Sequence, residues 1–188
     1  MDERQRWNAR YAGRVGLVMG EPNPFLQEHL ALLPRRHALE LAMGQGHEAI
    51  FLAQRGFLVT GVDISEIAVA RALQMARRAG VSIDAQVMDL RTAALPSETY
   101  DVVICFYYLQ RDLFPHIVRT LKPGGMVIYE TSTKEQARYG HPTNPAYLLE
   151  PNELLKAFKP LRIRLYRDLI VAGPKAVASV IGEKNRRG

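Results

Sequence analysis

The sequence predicts a doubly wound α/β fold: a Rossmann-like, seven-stranded sheet, mostly parallel with one antiparallel strand, with helices on both faces. Apolar strand-like segments alternate with segments of helical periodicity along most of the chain, as in parallel βαβ units. The chain then closes with two segments of alternating apolar and polar residues around a short turn, which is typical of an antiparallel pair. With 188 residues, 47% of them hydrophobic and 23% charged, we expect one globular domain over residues 1–188.

The N-terminal region, residues 1–36, is predicted to be helical and to form a lid. An amphipathic segment runs from Arg6 to Tyr11, and a second helix opens at Pro24, where proline suits the first turn. Trp7 and Tyr11 lie one helical turn apart. Two interpretations stay open for this pair: aromatic side chains that close over a ligand, or aromatic side chains that pack in the core.

The next part of the chain contains three predicted strands and two predicted helices. The second helix is capped by Ser65, carries apolar residues at helical spacing and stops near Gly80. In chain order, the elements are a strand at 37–43, a helix at 48–55, a strand at 57–62, the helix that follows Ser65, and a strand at 82–90. Asp63 directly follows the second of these strands.

The second half of the chain opens with the most apolar strand. Residues 100–109 are almost continuously apolar, as expected for a central strand that is buried on both faces. The remaining elements are a helix at 112–121, a break at Lys122-Pro123-Gly124-Gly125, a strand at 126–131, a polar insertion at 133–151, a helix at 152–158, and hairpin strands at 162–171 and 175–182.

Composition and charge make several classes of function less favoured. The net charge of +6 comes largely from basic residues near the C-terminus, but these are interleaved with apolar positions and lack aromatic stacking motifs, which argues against a nucleic-acid partner.

The longest apolar run, Val102 to Leu109, is too short to cross a bilayer, and we expect a cytoplasmic monomer or homodimer. Cys105 is the only cysteine, and the five histidines show no ligand spacing, so no metal site is expected.

A glycine turn follows the first strand, in the stretch from Glu40 to Ala49. Gly44 and Gly46 allow a sharp turn and close approach of the backbone to a ligand, and Asp63 lies at the distance where such folds place a carboxylate on ribose hydroxyls. These features predict a site for an adenosine-bearing cofactor. The turn alone does not distinguish a nicotinamide dinucleotide from other adenosine compounds.

Further motifs make the chain similar to the class I S-adenosylmethionine-dependent methyltransferases, in their tellurite-resistance and thiopurine-type branch. The motifs are the turn from Glu40 to Gly46, Asp63, Met88-Asp89-Leu90, the strand from Tyr100, Leu121-Lys122-Pro123-Gly124-Gly125, and the stretch from Asn144 to Pro151. The resemblance rests on the order and spacing of these motifs and covers almost the whole chain. Where the family's turn often has three glycines, the first position here is Ala42, which is tolerated if its φ is negative.

The resemblance implies S-adenosyl-L-methionine as the cofactor. Three features also disfavour a dinucleotide: Glu40 would repel a pyrophosphate but suits a cationic aminoacyl group, the closing hairpin is atypical of dehydrogenases, and little chain remains for a substrate domain. The expected cofactor-binding residues are Trp7, Tyr11, Glu40, Ala42, Gly44, Gly46, Asp63, Ile64, Asp89, Leu90 and Phe106. Glu40 and the glycines would hold the methionine portion, Asp63 the ribose, and Ile64, Asp89 and Leu90 the adenine; a turn cap is the structural alternative for Asp89.

The methyl acceptor is expected beyond the fourth and fifth strands, at the carboxyl edge of the sheet. Tyr107, Arg111 and Glu130 are the candidate catalytic residues, and Arg111 would pair either with an anionic acceptor or with Asp112 or Glu130. Additional acceptor-side candidates are Tyr108, Gln110, Ser132, His141 and Asn144. We expect an enzyme that transfers methyl in line, without metal, to a small soft nucleophile such as a thiol or metalloid oxyanion. The alternatives are a nucleic-acid or protein methyltransferase, a non-catalytic sensor of the donor, and an NAD-binding oxidoreductase.

Overall fold

A computed structural model describes residues 2–13, 16–17 and 20–186 of the chain. Arg187, the last basic residue of the C-terminal stretch, lies outside the described residues. The chain divides into two compact units, Met1–Ala94 and Leu95–Gly188, which we call the N-terminal unit and the C-terminal unit. Within the described residues, no helix combines the length and apolar character needed to span a bilayer.

The N-terminal unit contains three parallel strands in the order β3-β2-β1. Its elements are α1 (Glu3–Ala12), α2 (Pro24–His29) with a 3-10 turn at Leu30–Leu32, β1 (His37–Leu41), α3 (His47–Ala53), β2 (Leu58–Asp63), α4 (Glu66–Arg78) and β3 (Asp84–Val87). As predicted, Ser65 caps α4: its side chain accepts a hydrogen bond from the Ala68 amide. The third strand is shorter than predicted, because residues from Met88 onward enter a turn.

The C-terminal unit contains four strands in the order β4-β5-β7-β6, and β7 runs antiparallel to both of its neighbours. Its elements are β4 (Tyr100–Phe106), a 3-10 turn at Arg111–Leu113, α5 (Phe114–Thr120), β5 (Leu121–Ser132), 3-10 turns at Lys134–Arg138 and Pro145–Tyr147, α6 (Glu153–Ala157), β6 (Arg162–Val171) and β7 (Lys175–Glu183). The polar insertion therefore has no helix longer than a 3-10 turn.

The complete strand order is β3-β2-β1-β4-β5-β7-β6, which confirms the predicted Rossmann-like sheet with one antiparallel strand. The predicted start of β5 is wrong: residues 122–125 belong to β5 and do not break it. The Gly124 amide donates to the Lys184 carbonyl, and the Lys184 amide donates to the Gly125 carbonyl. Pairing with the residue that follows β7 therefore keeps this proline- and glycine-containing segment extended.

The core of the C-terminal unit lies around β4. Its residues Val102 to Cys105 are fully buried, as predicted for a strand covered on both faces. Three aromatic rings, from Phe114, Tyr129 and Phe158, contact one another with centroids 5.3 to 5.8 Å apart. This packing holds α5 and the end of α6 against β5.

Candidate cofactor and acceptor sites

Asp63 is the organising residue at the carboxyl ends of β1 and β2. One carboxylate oxygen accepts the Gly44 amide at 2.8 Å, and the other accepts the Ser65 amide at 2.8 Å. The side chain is buried, and burial raises its pKa even though the Ser65, Gly44 and Ile64 amides oppose that shift. Asp63 thus fixes the glycine turn and the start of α4, and its carboxylate keeps acceptor capacity for a ligand hydroxyl.

The glycine turn has a left-handed backbone at Gly44, with φ of +56°. A Cβ at this position would lie only 2.7 Å from the Tyr11 hydroxyl oxygen, so a larger residue would displace Tyr11 and would be strained by the positive φ. Ala42 also has a positive φ, of 52°. The expectation that alanine is tolerated at this position required a negative φ, so that expectation is wrong. A left-handed alanine costs about 1–2 kcal/mol relative to a right-handed one, so the turn is strained at this residue.

Glu40 is a buried acid near the end of β1. Its Oε2 atom has no hydrogen-bond partner among the described residues, and the side chain is only 3% exposed. Burial raises its pKa well above the ordinary value, and the charge of nearby Glu48 raises it further, whereas a hydrogen bond from the Ala49 amide lowers it. A buried acidic oxygen without a donor is costly, and a cationic ligand group would satisfy it.

The helix α1 brings its aromatic residues to the same turn. Tyr11 is buried, Trp7 is half-buried, and their ring centroids are 6.0 Å apart. The Trp7 indole N–H donates to Glu3 at 3.2 Å. Because Tyr11 lies against Gly44, the pair packs in the N-terminal unit next to the turn, and its part in covering a cofactor stays a prediction.

Asp89 makes local contacts in the turn after β3. It accepts two hydrogen bonds from the Arg91 guanidinium, at 2.7 and 3.0 Å, and one from the Arg91 amide at 3.0 Å. The Arg91 side chain lowers the pKa of this carboxyl. These contacts match the turn-capping alternative. The adenine-side roles of Asp89, half-buried Ile64 and buried Leu90 stay predictions, as does that of Phe106, which ends β4 in the C-terminal unit.

The acceptor-side prediction is centred on Tyr107 and Glu130, which the C-terminal unit brings together. The Tyr107 hydroxyl donates to Glu130 at 3.4 Å, Lys175 Nζ lies 5.3 Å from the Tyr107 ring centroid, and the Tyr107 side chain is 49% exposed. Tyr107 has a φ of 54°, which is rare for a bulky residue and is often associated with functional sites.

Glu130 is held by two side chains that the sequence analysis did not identify. The Ser179 hydroxyl donates to its carboxylate at 2.5 Å, and the Arg167 guanidinium donates at 3.3 Å. The three residues are direct cross-strand neighbours on β5, β7 and β6. The signal available in the sequence was the register of the predicted hairpin, which pairs residue 167 with residue 179.

Arg111 is bound within the chain, and its partner is Glu153, not Asp112 or Glu130. Its Nε and Nη2 donate to the two Glu153 oxygens at 2.7 and 3.0 Å, while Nη1 and Nη2 donate to the carbonyls of Ala146 and Leu148. Glu153 also accepts the Glu150 amide at 2.8 Å. This geometry favours a role in which Arg111 anchors the end of the polar insertion over one in which it binds an anion.

The remaining acceptor-side candidates make local contacts. The Tyr108 hydroxyl donates to Gln110 at 2.6 Å, and Asn144 caps the 3-10 turn that starts at Pro145. Ser132 is buried, and His141 is exposed. Among the described residues, no group of three or more histidine, cysteine, aspartate or glutamate side chains is arranged to hold a metal ion.

Comparison with known proteins shows that residues 38–125 match the model of a methyltransferase domain family. Two curated relatives of this chain have different names. Hemagglutinin 1 of Eikenella corrodens is 31% identical over 139 residues, which cover 70% of this chain and 46% of that protein. A ubiquinone biosynthesis O-methyltransferase of Coxiella burnetii is 26% identical over 117 residues, which cover 60% and 50%. The chain spans about half the length of these curated relatives.

Solved structures share the fold. A structure from work on the conversion of a disulfide bond into a thioacetal group during echinomycin biosynthesis has a TM-score of 0.76 and 19% identity, covering 100% of this chain and 94% of the other. Proteins described as S-adenosylmethionine-dependent methyltransferases are also among the fold neighbours. The tellurite-resistance and thiopurine-type branch is not resolved by these similarities.

Proposed function

We propose that the protein is an S-adenosylmethionine-dependent methyltransferase that acts on a small soft nucleophile. The observation that carries the proposal is the buried, unpartnered oxygen of Glu40 beside the turn that Asp63 fixes. The donor has an ammonium and a sulfonium for a buried acid, and a ribose for the free lone pairs of Asp63. A dinucleotide fits less well, because its pyrophosphate would meet the charge of Glu40 instead of a neutralising group.

The chain's own residues would act by binding and alignment. Glu40 would hold the cationic methionine portion, the Gly44 backbone would permit close approach, and Asp63 would hold the ribose. The bound donor supplies a methyl group on a sulfonium, which transfers by in-line displacement, so alignment of the acceptor governs the rate.

The nature of the acceptor is inferred from Tyr107. Its half-exposed ring carries the Lys175 ammonium above it, and its hydroxyl is fixed by Glu130. The edge of an aromatic ring attracts polarisable sulfur, and a nearby ammonium attracts an anion. A thiolate has both properties and a metalloid oxyanion has the second, and these are the acceptors that we propose.

The basic C-terminal residues give little support to a nucleic-acid substrate. Arg164 pairs with Glu183 at 3.0 Å, Arg167 with Glu130 at 3.3 Å, and Lys184 lies 3.6 Å from Glu98. Charges that are neutralised within the chain contribute little to phosphate binding.

The test is a methyl-transfer screen with radiolabelled S-adenosylmethionine across thiols, metalloid oxyanions, halides and RNA. We expect transfer to a thiol or an oxyanion, and a melting temperature that rises with the donor but not with NADH. Donor binding without turnover on any acceptor would indicate a sensor. Turnover on RNA alone would contradict the proposed acceptor class, and absence of donor binding would contradict the function itself.

A further inference from the structure

The polar side chain of Asn8 connects α1 to the residues that follow Asp63. The Ser65 hydroxyl donates to the Asn8 carbonyl oxygen at 2.6 Å, and the Asn8 amide donates to Glu66 at 3.0 Å. Asn8 therefore bonds to the cap and to the first residue of α4. No motif in the sequence analysis identified this residue.

The same helix reaches the glycine turn through Tyr11. Asn8 and Tyr11 are three residues apart and so lie on neighbouring positions of one helix face. Tyr11 lies against Gly44, whose amide is bound to Asp63, and Asn8 lies against Ser65, whose amide is bound to the other oxygen of Asp63. The helix thus contacts both segments that the Asp63 carboxylate holds.

We propose that Asn8 is a positioning residue that docks α1 beside the donor site and thereby increases donor affinity. This inference rests on the proposed function, because Asp63 and the glycine turn are the parts of that site. The sequence of contacts is short: Asn8 holds Ser65, Ser65 holds Asp63, and Asp63 holds the turn. Undocking α1 would remove Tyr11 from Gly44 and leave the donor site more open to water.

The chain contains one tryptophan, Trp7, and it precedes Asn8 on α1. Its half-buried ring stacks on Tyr11, so its fluorescence reports the docking of this helix without any catalytic assay. Affinity for S-adenosylhomocysteine, the demethylated donor, gives a second measurement by calorimetry.

The experiment compares N8A, N8D and the double variant N8D/E66Q with the native chain. N8A loses both hydrogen bonds, and we expect S-adenosylhomocysteine binding to weaken about 3- to 10-fold, with red-shifted Trp7 emission in the apoprotein. N8D sets a carboxylate against Glu66 and should weaken binding further. In N8D/E66Q the amide at position 66 donates to the new carboxylate, so affinity should return to within about 2-fold of the native value. E66Q alone keeps an acceptor oxygen and is the matched control.

Native affinity and native Trp7 emission in N8A and N8D would overturn the inference while leaving the proposed function intact. A deficit in N8D that the double variant does not recover would also overturn it, because the effect would then lie outside this pair. If the native chain itself gives no heat with S-adenosylhomocysteine, the proposed function fails together with the inference.

Discussion

The central acids of the two candidate sites, Asp63 and Glu130, are held by different kinds of contact. In the N-terminal unit, Asp63 binds the main-chain amides of Gly44 and Ser65, which lie 19 and 2 residues away in the sequence. In the C-terminal unit, the contacts join side chains that are far apart: Glu130 and Ser179 are 49 residues apart, and Arg111 and Glu153 are 42 apart.

This difference shows how each site depends on the fold. The Gly44 and Ser65 amides are positioned by the ends of β1 and β2, so the single carboxylate of Asp63 can bind both of them. Side-chain contacts over long separations depend on the register of β5, β6 and β7 and on the insertion before α6. A substitution in the first unit should act mainly on folding and donor binding, and one in the second should act mainly on the acceptor.

The largest expected effect comes from Asp63→Ala, which leaves two buried amides without their acceptor. Each hydrogen bond to a charged group contributes about 1.5–3 kcal/mol, so we expect the free energy of unfolding to fall by about 3 kcal/mol or more and donor binding to be lost. Denaturant titration and calorimetry measure the two quantities. Asp63→Asn keeps one acceptor oxygen and should lose less stability; equal stability of the alanine variant and the native chain would show that the turn does not need this acid.

A smaller effect is expected for Arg111→Ala, which removes the side chain that binds both the insertion and Glu153 of α6. The ion pair is partly exposed, so the unfolding free energy should fall by only about 1–2 kcal/mol. Turnover of the acceptor should fall while donor affinity stays near the native value. Arg138→Ala is the matched control, because that exposed arginine makes only a 3.9 Å contact within the insertion. An unchanged rate in Arg111→Ala would remove this residue from the acceptor site.

The fold was predictable from local pattern, because each strand and helix is encoded by its own periodicity. The placement of Glu40, Gly44 and Asp63 near strand ends was predictable for the same reason, and their role in donor binding stays a prediction. The acceptor side was less predictable. Arg167 and Ser179 act on Glu130 only through strand register, and the partner of Arg111 lies beyond an insertion whose path the sequence pattern does not specify.

Ala42 was missed for a different reason. A positive φ at this residue is set by the turn as a whole, and the residue type gives no sign of it because alanine rarely adopts that conformation. Measuring the stability of an Ala42→Gly variant therefore tests whether the backbone at this residue is strained.

The smallest expected effect is a gain. Ala42→Gly relieves the left-handed strain and should raise the unfolding free energy by about 1 kcal/mol, or the melting temperature by about 2–4 °C. The control is Ala70→Gly in the exposed interior of α4, which should lower stability by about 1 kcal/mol. A loss of stability in both variants would show that Ala42 is not strained.

The central claim is that the buried acid Glu40 recognises the cationic part of the donor. Its folded-state pKa is raised above the ordinary value of 4.5, so the ionised form destabilises the apoprotein, and stability should fall as pH rises from about 4.5 through the folded pKa. Glu40→Gln removes this penalty and should leave the apoprotein at least as stable near neutral pH.

The most direct measurement is calorimetry of S-adenosylhomocysteine binding to the native chain, to Glu40→Gln and to Glu48→Gln, which removes a neighbouring acid. We predict that Glu40→Gln binds about 10- to 100-fold more weakly although it is no less stable, while Glu48→Gln, which removes a charge that raises the pKa of Glu40, binds no more weakly than the native chain. Native affinity in Glu40→Gln would contradict the account.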